Sequence, residues 1–256
     1  MTENLLHEIK QTVIDGDYKS IGRKIRKLRR KNIEEQEIVQ ALSEGLMDIS
    51  EKYKTEGMYL DNIVKAAATF ELGTASLRLS DKSQEPEKKV VIGVMGGPWT
   101  IGSSIIAANL KAHGFEVIDA GSDITPEDII DMVEKSNAKI IASAIYLMQS
   151  KDAVEKLERL LWKKGLRHKI KTILSGPAAS QTLADTLNID AYAKNLKQVI
   201  SKVKEFSQEL KSEMSSYERV MISLKHEEPD RVPVIPFAQT FSAKFAGIPF
   251  SEYVSH

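Results

Sequence analysis

Cysteine is missing from all 256 residues, which excludes disulfides, thiolate metal ligands, thiol nucleophiles and cysteine redox chemistry together. Any metal must come through histidine or carboxylate, or inside a cofactor. Net charge is also missing: 36 basic residues balance 36 acidic ones, so no global field draws the chain to nucleic acid or to a membrane surface. No apolar run approaches the roughly 18 residues that a bilayer span requires. The opening Met1-Thr2-Glu3-Asn4 lacks a basic region followed by an apolar one, and the chain reads as soluble and cytoplasmic. What is present is ordinary for a folded protein. Hydrophobic residues make up 42% and charged ones 28%, enough apolar material for a sizeable core. At about 150 residues per domain, the length predicts one to two domains.

Proline is absent from residues 1–79, where apolar positions such as Leu5, Leu6, Ile9 and Val13, then Ile21, Ile25 and Leu28, recur at helical spacing. Breaks at Asp15-Gly16-Asp17, Lys31-Asn32 and Thr55-Glu56-Gly57 divide the region into four helices, which predicts a helical bundle. Residues 80–89 are polar and contain Pro86, the pattern of an exposed linker. From residue 90 to 212 short apolar strands, at 90–94, 115–118, 139–144, 170–174 and 191–192, alternate with amphipathic helices. That alternation predicts an α/β domain with a parallel sheet covered on both faces. Ligands on such sheets sit at the carboxyl ends of the strands, where the strand order reverses. Residues 213–256 hold four of the eight prolines between Pro229 and Pro249 and are too few to build a core of their own.

Three loops should meet at that sheet edge. The first, Gly96-Gly97-Pro98-Trp99-Thr100-Ile101-Gly102-Ser103-Ser104, joins a strand to a helix; its glycines allow close backbone approach and the helix start offers free amides. It has neither the lysine of a P-loop nor the spacing of the dinucleotide fingerprint, and it also suits a tight turn over Trp99. The second is Ser143-Ala144-Ile145-Tyr146-Leu147-Met148-Gln149-Ser150 and the third Ser175-Gly176-Pro177-Ala178-Ala179-Ser180. Small residues there leave room for a slender ligand. The five histidines, His7, His113, His168, His226 and His256, have no ligand spacing, and no nucleophile, base and orienting acid can be assembled. His113 at a helix end complements the helix dipole. The basic run Arg23 to Lys31 occupies the outer face of an amphipathic helix; a solvated face accounts for it, and RNA or an acidic protein are the alternatives. The alanine-rich stretch after Met58-Tyr59-Leu60 suits either close helix packing or a shallow surface lying flat against a ligand.

Residues 3 to about 205 resemble the corrinoid-binding methyl carriers of methanol, methylamine and O-demethylase methyltransferase systems. The resemblance runs through Glu44-Gly45-Leu46-Met47, Met58-Tyr59-Leu60 with Ala66-Ala67, Val90-Val91-Ile92-Gly93 and Ile101-Gly102. It continues through Asn109 to Asp119, Gly121, Asp123, Pro126-Glu127-Asp128-Ile129, Ser143-Ala144, Ser175-Gly176-Pro177-Ala178 and Asp190-Ala191-Tyr192-Ala193. It implies a four-helix cap (1–79) over a flavodoxin-like cobalamin-binding domain (90–212), with the corrinoid between them. The implied cofactor-binding residues are Met58, Gly96, Gly97, Pro98, Trp99, Thr100, Ile101, Gly102, Ser103, Ser143, Tyr146, Leu147, Ser175, Gly176, Pro177 and Tyr192.

One departure bears on the chemistry. The family's cobalt-ligand motif is Asp-x-His-x-x-Gly, and aligning on Gly102 puts Gly97 at the Asp position and Trp99 at the His position. Indole nitrogen carries a hydrogen and offers no lone pair. Three outcomes stay open: a corrinoid held without a protein ligand, a corrinoid keeping its own base, or loss of the cofactor. The tail resembles the start of uroporphyrinogen-decarboxylase-like methyltransferases, through Glu218-Arg219-Val220, Glu228-Pro229-Asp230-Arg231-Val232-Pro233-Val234 and Phe250-Ser251-Glu252-Tyr253. The expected function is a corrinoid methyl carrier, not catalytic alone, that meets a substrate-specific methyltransferase and a uroporphyrinogen-decarboxylase-like one and self-associates as a homodimer. The rival from another class is a degenerate sensor or interaction module whose cleft is filled by side chains.

Overall fold

The helical spacing before residue 79 becomes four helices, α1 (Thr2–Ile14), α2 (Ile21–Arg29), α3 (Glu35–Glu56) and α4 (Leu60–Ala75). The structure, a computed structural model, describes residues 2–56, 60–77, 79, 83–98, 100–212, 220 and 223–224. The chain forms two compact units, Met1–Leu210 and Lys211–His256, and the account below concerns the first. Two of the three predicted breaks fall where left-handed backbone is needed, and the third reaches Gly57, which lies outside the described residues. Gly16 has φ +67°, and a Cβ there would lie 2.7 Å from Lys65 Cβ, so only glycine lets the α1–α2 turn pack on α4. Asn32 ends the turn after α2 at φ 55°. The apolar stripes of the four helices share one core, in which Ile9, Val13, Ile25, Leu42, Leu46 and Phe70 are buried.

Five strands follow: β1 (Lys89–Met95), β2 (Glu116–Ser122), β3 (Ile140–Ile145), β4 (Lys171–Ser175) and β5 (Ala191–Ala193). They alternate with α5 (Ile101–Ala112), α6 (Pro126–Ser136), α7 (Lys151–Lys163), α8 (Gln181–Thr186) and α9 (Leu196–Ser212). All pairings are parallel, in the order β2-β1-β3-β4-β5. The side-chain alternation of β1 feeds two cores. Val91 and Met95 pack with α6, α7 and α8, while Val90 and Ile92 pack with α5 and α9. Each fully buried valine or isoleucine contributes about 1.5–3 kcal/mol, so the central strands hold the sheet.

Strand β2 runs four residues past its expected end at 118. It is an edge strand, and its second half, Asp119-Ala120-Gly121-Ser122, is polar enough to hide the strand pattern while one side still pairs with β1. Helix α5 has apolar residues on both sides because both are covered: Leu110 faces the sheet core, whereas Ile105 and Ala108 join the core of the four N-terminal helices. No helix among the described residues is long and apolar enough to cross a membrane.

Candidate functional site

The strand order turns at β1, with β2 on one side and β3 on the other, the edge at which doubly wound sheets bind ligands. The structure brings the three predicted loops together there. In the first, Gly96 (φ +69°) and Gly97 (φ +141°) make the turn out of β1. A Cβ on Gly96 would lie 2.3 Å from Ser150 Oγ of the second loop, and one on Gly102 would lie 2.6 Å from Tyr146 Oη. In the third, Gly176 (φ +102°) lies so close to β3 that a Cβ would sit 2.3 Å from the Ile145 carbonyl oxygen, and the same oxygen accepts Ala178 N–H at 3.2 Å.

Buried hydroxyls under these turns are loosely held. Ser143 Oγ stands 3.4 Å from the Ile173 carbonyl, Ser175 Oγ donates to the Ser143 carbonyl at 3.2 Å, and Ser150 Oγ reaches the Gly96 carbonyl at 3.5 Å. Such long contacts leave hydroxyl capacity for a ligand. Ser103 is different: its Oγ donates to the Thr100 carbonyl at 2.8 Å and closes the first turn of α5. Thr100 takes the N-cap position without a side-chain hydrogen bond to the helix, so the opening amides of α5 receive no hydroxyl cap. Pro98, Thr100 and Pro177 are exposed, and Ile101, Leu147 and Met148 form an apolar rim. Tyr192 is half-buried in the middle of β5 and packs on the core beneath α6, α7 and α8. Met58 and Trp99 lie outside the described residues, as do all the tail's matching residues except Val220.

Apart from the Tyr146 phenol, these loops carry no ionisable side chain, and burial pushes that phenol upward. Among the described residues no three of His, Cys, Asp or Glu cluster to hold a metal. His113 ends α5, with Nδ1 2.8 Å from the Asn109 carbonyl. Ser150 and Met148, named in the second loop, are not among the cofactor-binding residues the resemblance implies. Their only signal is position, since the turn after β3 carries them back over the first loop.

The B12 binding domain family matches residues 87–196, the span that holds all five strands. Dimethylamine corrinoid protein 3 of Methanosarcina acetivorans is 30% identical over 207 residues, covering 79% of this chain and 97% of that protein. The chain belongs to the corrinoid-protein family. The dimethylamine corrinoid protein of Methanosarcina barkeri is 26% identical over 79% of this chain and 97% of its own length. Among solved structures, the fold matches the Methanosarcina barkeri monomethylamine corrinoid protein with TM-score 0.61 and 17% identity, covering 80% of this chain and 99% of that one. It also matches a chain of the methanol:cobalamin methyltransferase complex from the same organism, with TM-score 0.51, 19% identity and 80% of each chain covered. As a corrinoid protein, the chain offers positions that fit the organic part of such a cofactor: Gly96 and Gly102 present no side chain, and Ser143 and Ser175 are buried near the carboxyl ends of β3 and β4 with long hydroxyl contacts. The donor set does not extend to the cobalt, because residues 95–104 contain neither imidazole nor carboxylate.

Proposed function

We propose that the chain is a methyl carrier that holds a corrinoid at the β1/β3 edge and presents it in turn to two methyltransferases. One would be substrate-specific and the other uroporphyrinogen-decarboxylase-like. When bound, the cofactor supplies a cobalt that takes up and releases a methyl group. The observation that carries this reading is the character of the cleft mouth. It is built from side-chain-free positions and hydroxyls, with no carboxylate, imidazole, amine or thiol in the three loops, so the reactive centre is supplied by a bound group.

Within this reading, Gly96, Gly102, Ser143, Tyr146, Gly176 and Pro177 line the slot for the nucleotide tail. The start of α5, with Thr100, Ile101 and Ser103, faces the corrin edge together with Gly97 and Pro98. Leu147, Ser175 and Tyr192 would close the sides, while Met58 and Trp99, implied by the resemblance, lie outside the described residues. Residues 95–104 would offer a bound cobalt neither imidazole nor carboxylate. Gly97 and Trp99 stand where the family pattern has its Asp and His, so both the ligand and the group that orients it are replaced.

The test is an absorbance spectrum of the full chain after incubation with cobalamin and gel filtration. A corrin band at near-equimolar yield for the unaltered protein is the expected result. A band that appears only in Trp99→His would overturn the reading in favour of a module that has given up the cofactor.

A further inference from the structure

Three glycines set how closely the loops at the β1/β3 edge approach one another, and the atoms opposite them differ in kind. Opposite Gly176 stands backbone: a Cβ there would lie 2.3 Å from the Ile145 carbonyl oxygen and 2.8 Å from the Ile145 nitrogen. Opposite Gly96 stands the root of a side chain, with Ser150 Oγ at 2.3 Å, Cβ at 3.2 Å and Cα at 3.9 Å from the same notional atom. Ser150 is 5% exposed and takes the N-cap position of α7, so its Cα moves only with that helix. These two contacts pin the second loop to the third and to the first.

Gly102 is opposed differently. A Cβ there would lie 2.6 Å from Tyr146 Oη and 4.0 Å from Cζ, the far end of a ring, and among the described residues no other atom comes as near. Tyr146 is the first residue after β3 and Gly102 the second of α5, so the ring spans the mouth between the second loop and the start of the helix. Its root is held, because the Ile145 carbonyl just before it accepts Ala178 N–H at 3.2 Å. An aromatic side chain on a held backbone moves by turning between rotamers. Burial pushes the phenol's titration upward, so the ring turns as a neutral group.

We infer that Tyr146 is the latch of the tail slot: its ring bridges the second loop and α5, and it must turn aside before the slot admits a corrinoid with a nucleotide tail, whereas entry of a tailless corrinoid leaves it in place. Of the three contacts this is the one that opens without moving backbone, since Gly96 and Gly176 are opposed by backbone or by atoms attached directly to it. Gly102 serves the latch, because only a residue without Cβ lets the phenol lie against the first turn of α5. The inference rests on the carrier reading and adds to it the residue that discriminates between tailed and tailless corrinoids.

The full chain and its Tyr146→Ala variant are mixed with cobalamin and, separately, with cobinamide, which lacks the nucleotide tail, and uptake is followed by absorbance. Any motion of the helical cap is required by both compounds, so the ratio of the two uptake rates cancels it and reads the tail alone. The cobalamin-to-cobinamide ratio should rise at least about tenfold in Tyr146→Ala, as expected when a closed conformer no longer limits entry. A ratio that stays the same or falls overturns the inference. If circular dichroism finds Tyr146→Ala unfolded, Tyr146→Leu, which shortens the side chain and keeps an apolar stem, takes its place. A chain that retains neither corrinoid defeats the carrier reading and the latch with it; one that retains both, at a ratio the variant leaves unchanged, defeats only the latch.

Discussion

Gly102 and Gly176 border the same crevice, yet the atoms beside them assign them different tolerances. A Cβ on Gly176 would meet backbone, the Ile145 carbonyl oxygen at 2.3 Å, from a φ of +102°. Neither the strand end nor the dihedral can yield cheaply, so Gly176→Ala should lose at least about 2 kcal/mol of stability, read as a lower urea midpoint. A Cβ on Gly102 would meet only the far end of the Tyr146 ring. The phenol can swing, and Gly102→Ala should keep its stability within about 1 kcal/mol. The displaced ring then takes up space in the slot, and corrinoid retained after gel filtration should fall well below that of the unaltered chain. Full retention would mean that Gly102 serves packing alone. The sequence makes these glycines visible as a strand-to-helix loop and a Ser-Gly-Pro turn, but it cannot reveal what they make room for. Ser150 meets Gly96 from 54 positions away, a distance across which one sequence carries no local pattern.

Secondary elements need fastening at the edge remote from the crevice, and one arginine does much of it. Arg167, just before β4, lies 2.7 Å from Glu158 on α7 and 2.9 Å from Asp190 at the entrance to β5. It also donates to the Asn188 and Ile170 carbonyls at 2.6 and 3.2 Å, while Asp190 accepts from Thr172 N–H at 2.8 Å. Arg167→Leu would strand two carboxylates and should cost about 3–5 kcal/mol. Arg167→Lys should restore little, because an ammonium cannot span both acids and both carbonyls. Burial drives the Glu158 carboxyl above its ordinary 4.5, against the opposing pull of Arg167. A raised value means that the native state keeps its proton to higher pH than the unfolded chain. Stability from this group is therefore complete below 4.5 and declines as pH rises through the elevated titration. Urea midpoints measured across that window should fall for the unaltered protein and stay flatter for Glu158→Gln; parallel slopes would remove Glu158 as the cause. None of this was legible beforehand, since the three charged side chains are scattered between residues 158 and 190 and each reads as an ordinary surface charge. The helix breaks were legible because Gly16 and Asn32 are the residue types that tolerate positive φ.

At the level of the molecule, the N-terminal helices and the sheet domain are joined through α5, whose Ile105 and Ala108 sit in the helical core while Leu110 sits in the sheet core. One buried polar contact crosses this seam. Asn109 Nδ2 donates to Ser43 Oγ at 2.8 Å and to the Ile105 carbonyl at 2.8 Å, and Ser43 Oγ donates in turn to the Val39 carbonyl at 2.7 Å. Composition and periodicity separate the two regions readily, but the seam between them depends on which helix packs on which, and α5 reads in sequence as sheet-covering only. A cap that swings aside to admit a corrinoid must part α3 from α5 at this point. The chain contains no cysteine, so in Ser43→Cys/Asn109→Cys oxidation can join only the introduced pair. Corrinoid uptake by the oxidised variant, followed by absorbance, should be at least about tenfold slower than by the same protein with its thiols reduced, as expected when a gating motion is blocked. Reductant should restore the rate without any change of sequence, which separates the effect of the bond from that of the substitutions. Equal rates in the two states would show that the protein opens without parting α3 from α5, and the cap would then have to yield within its own helices.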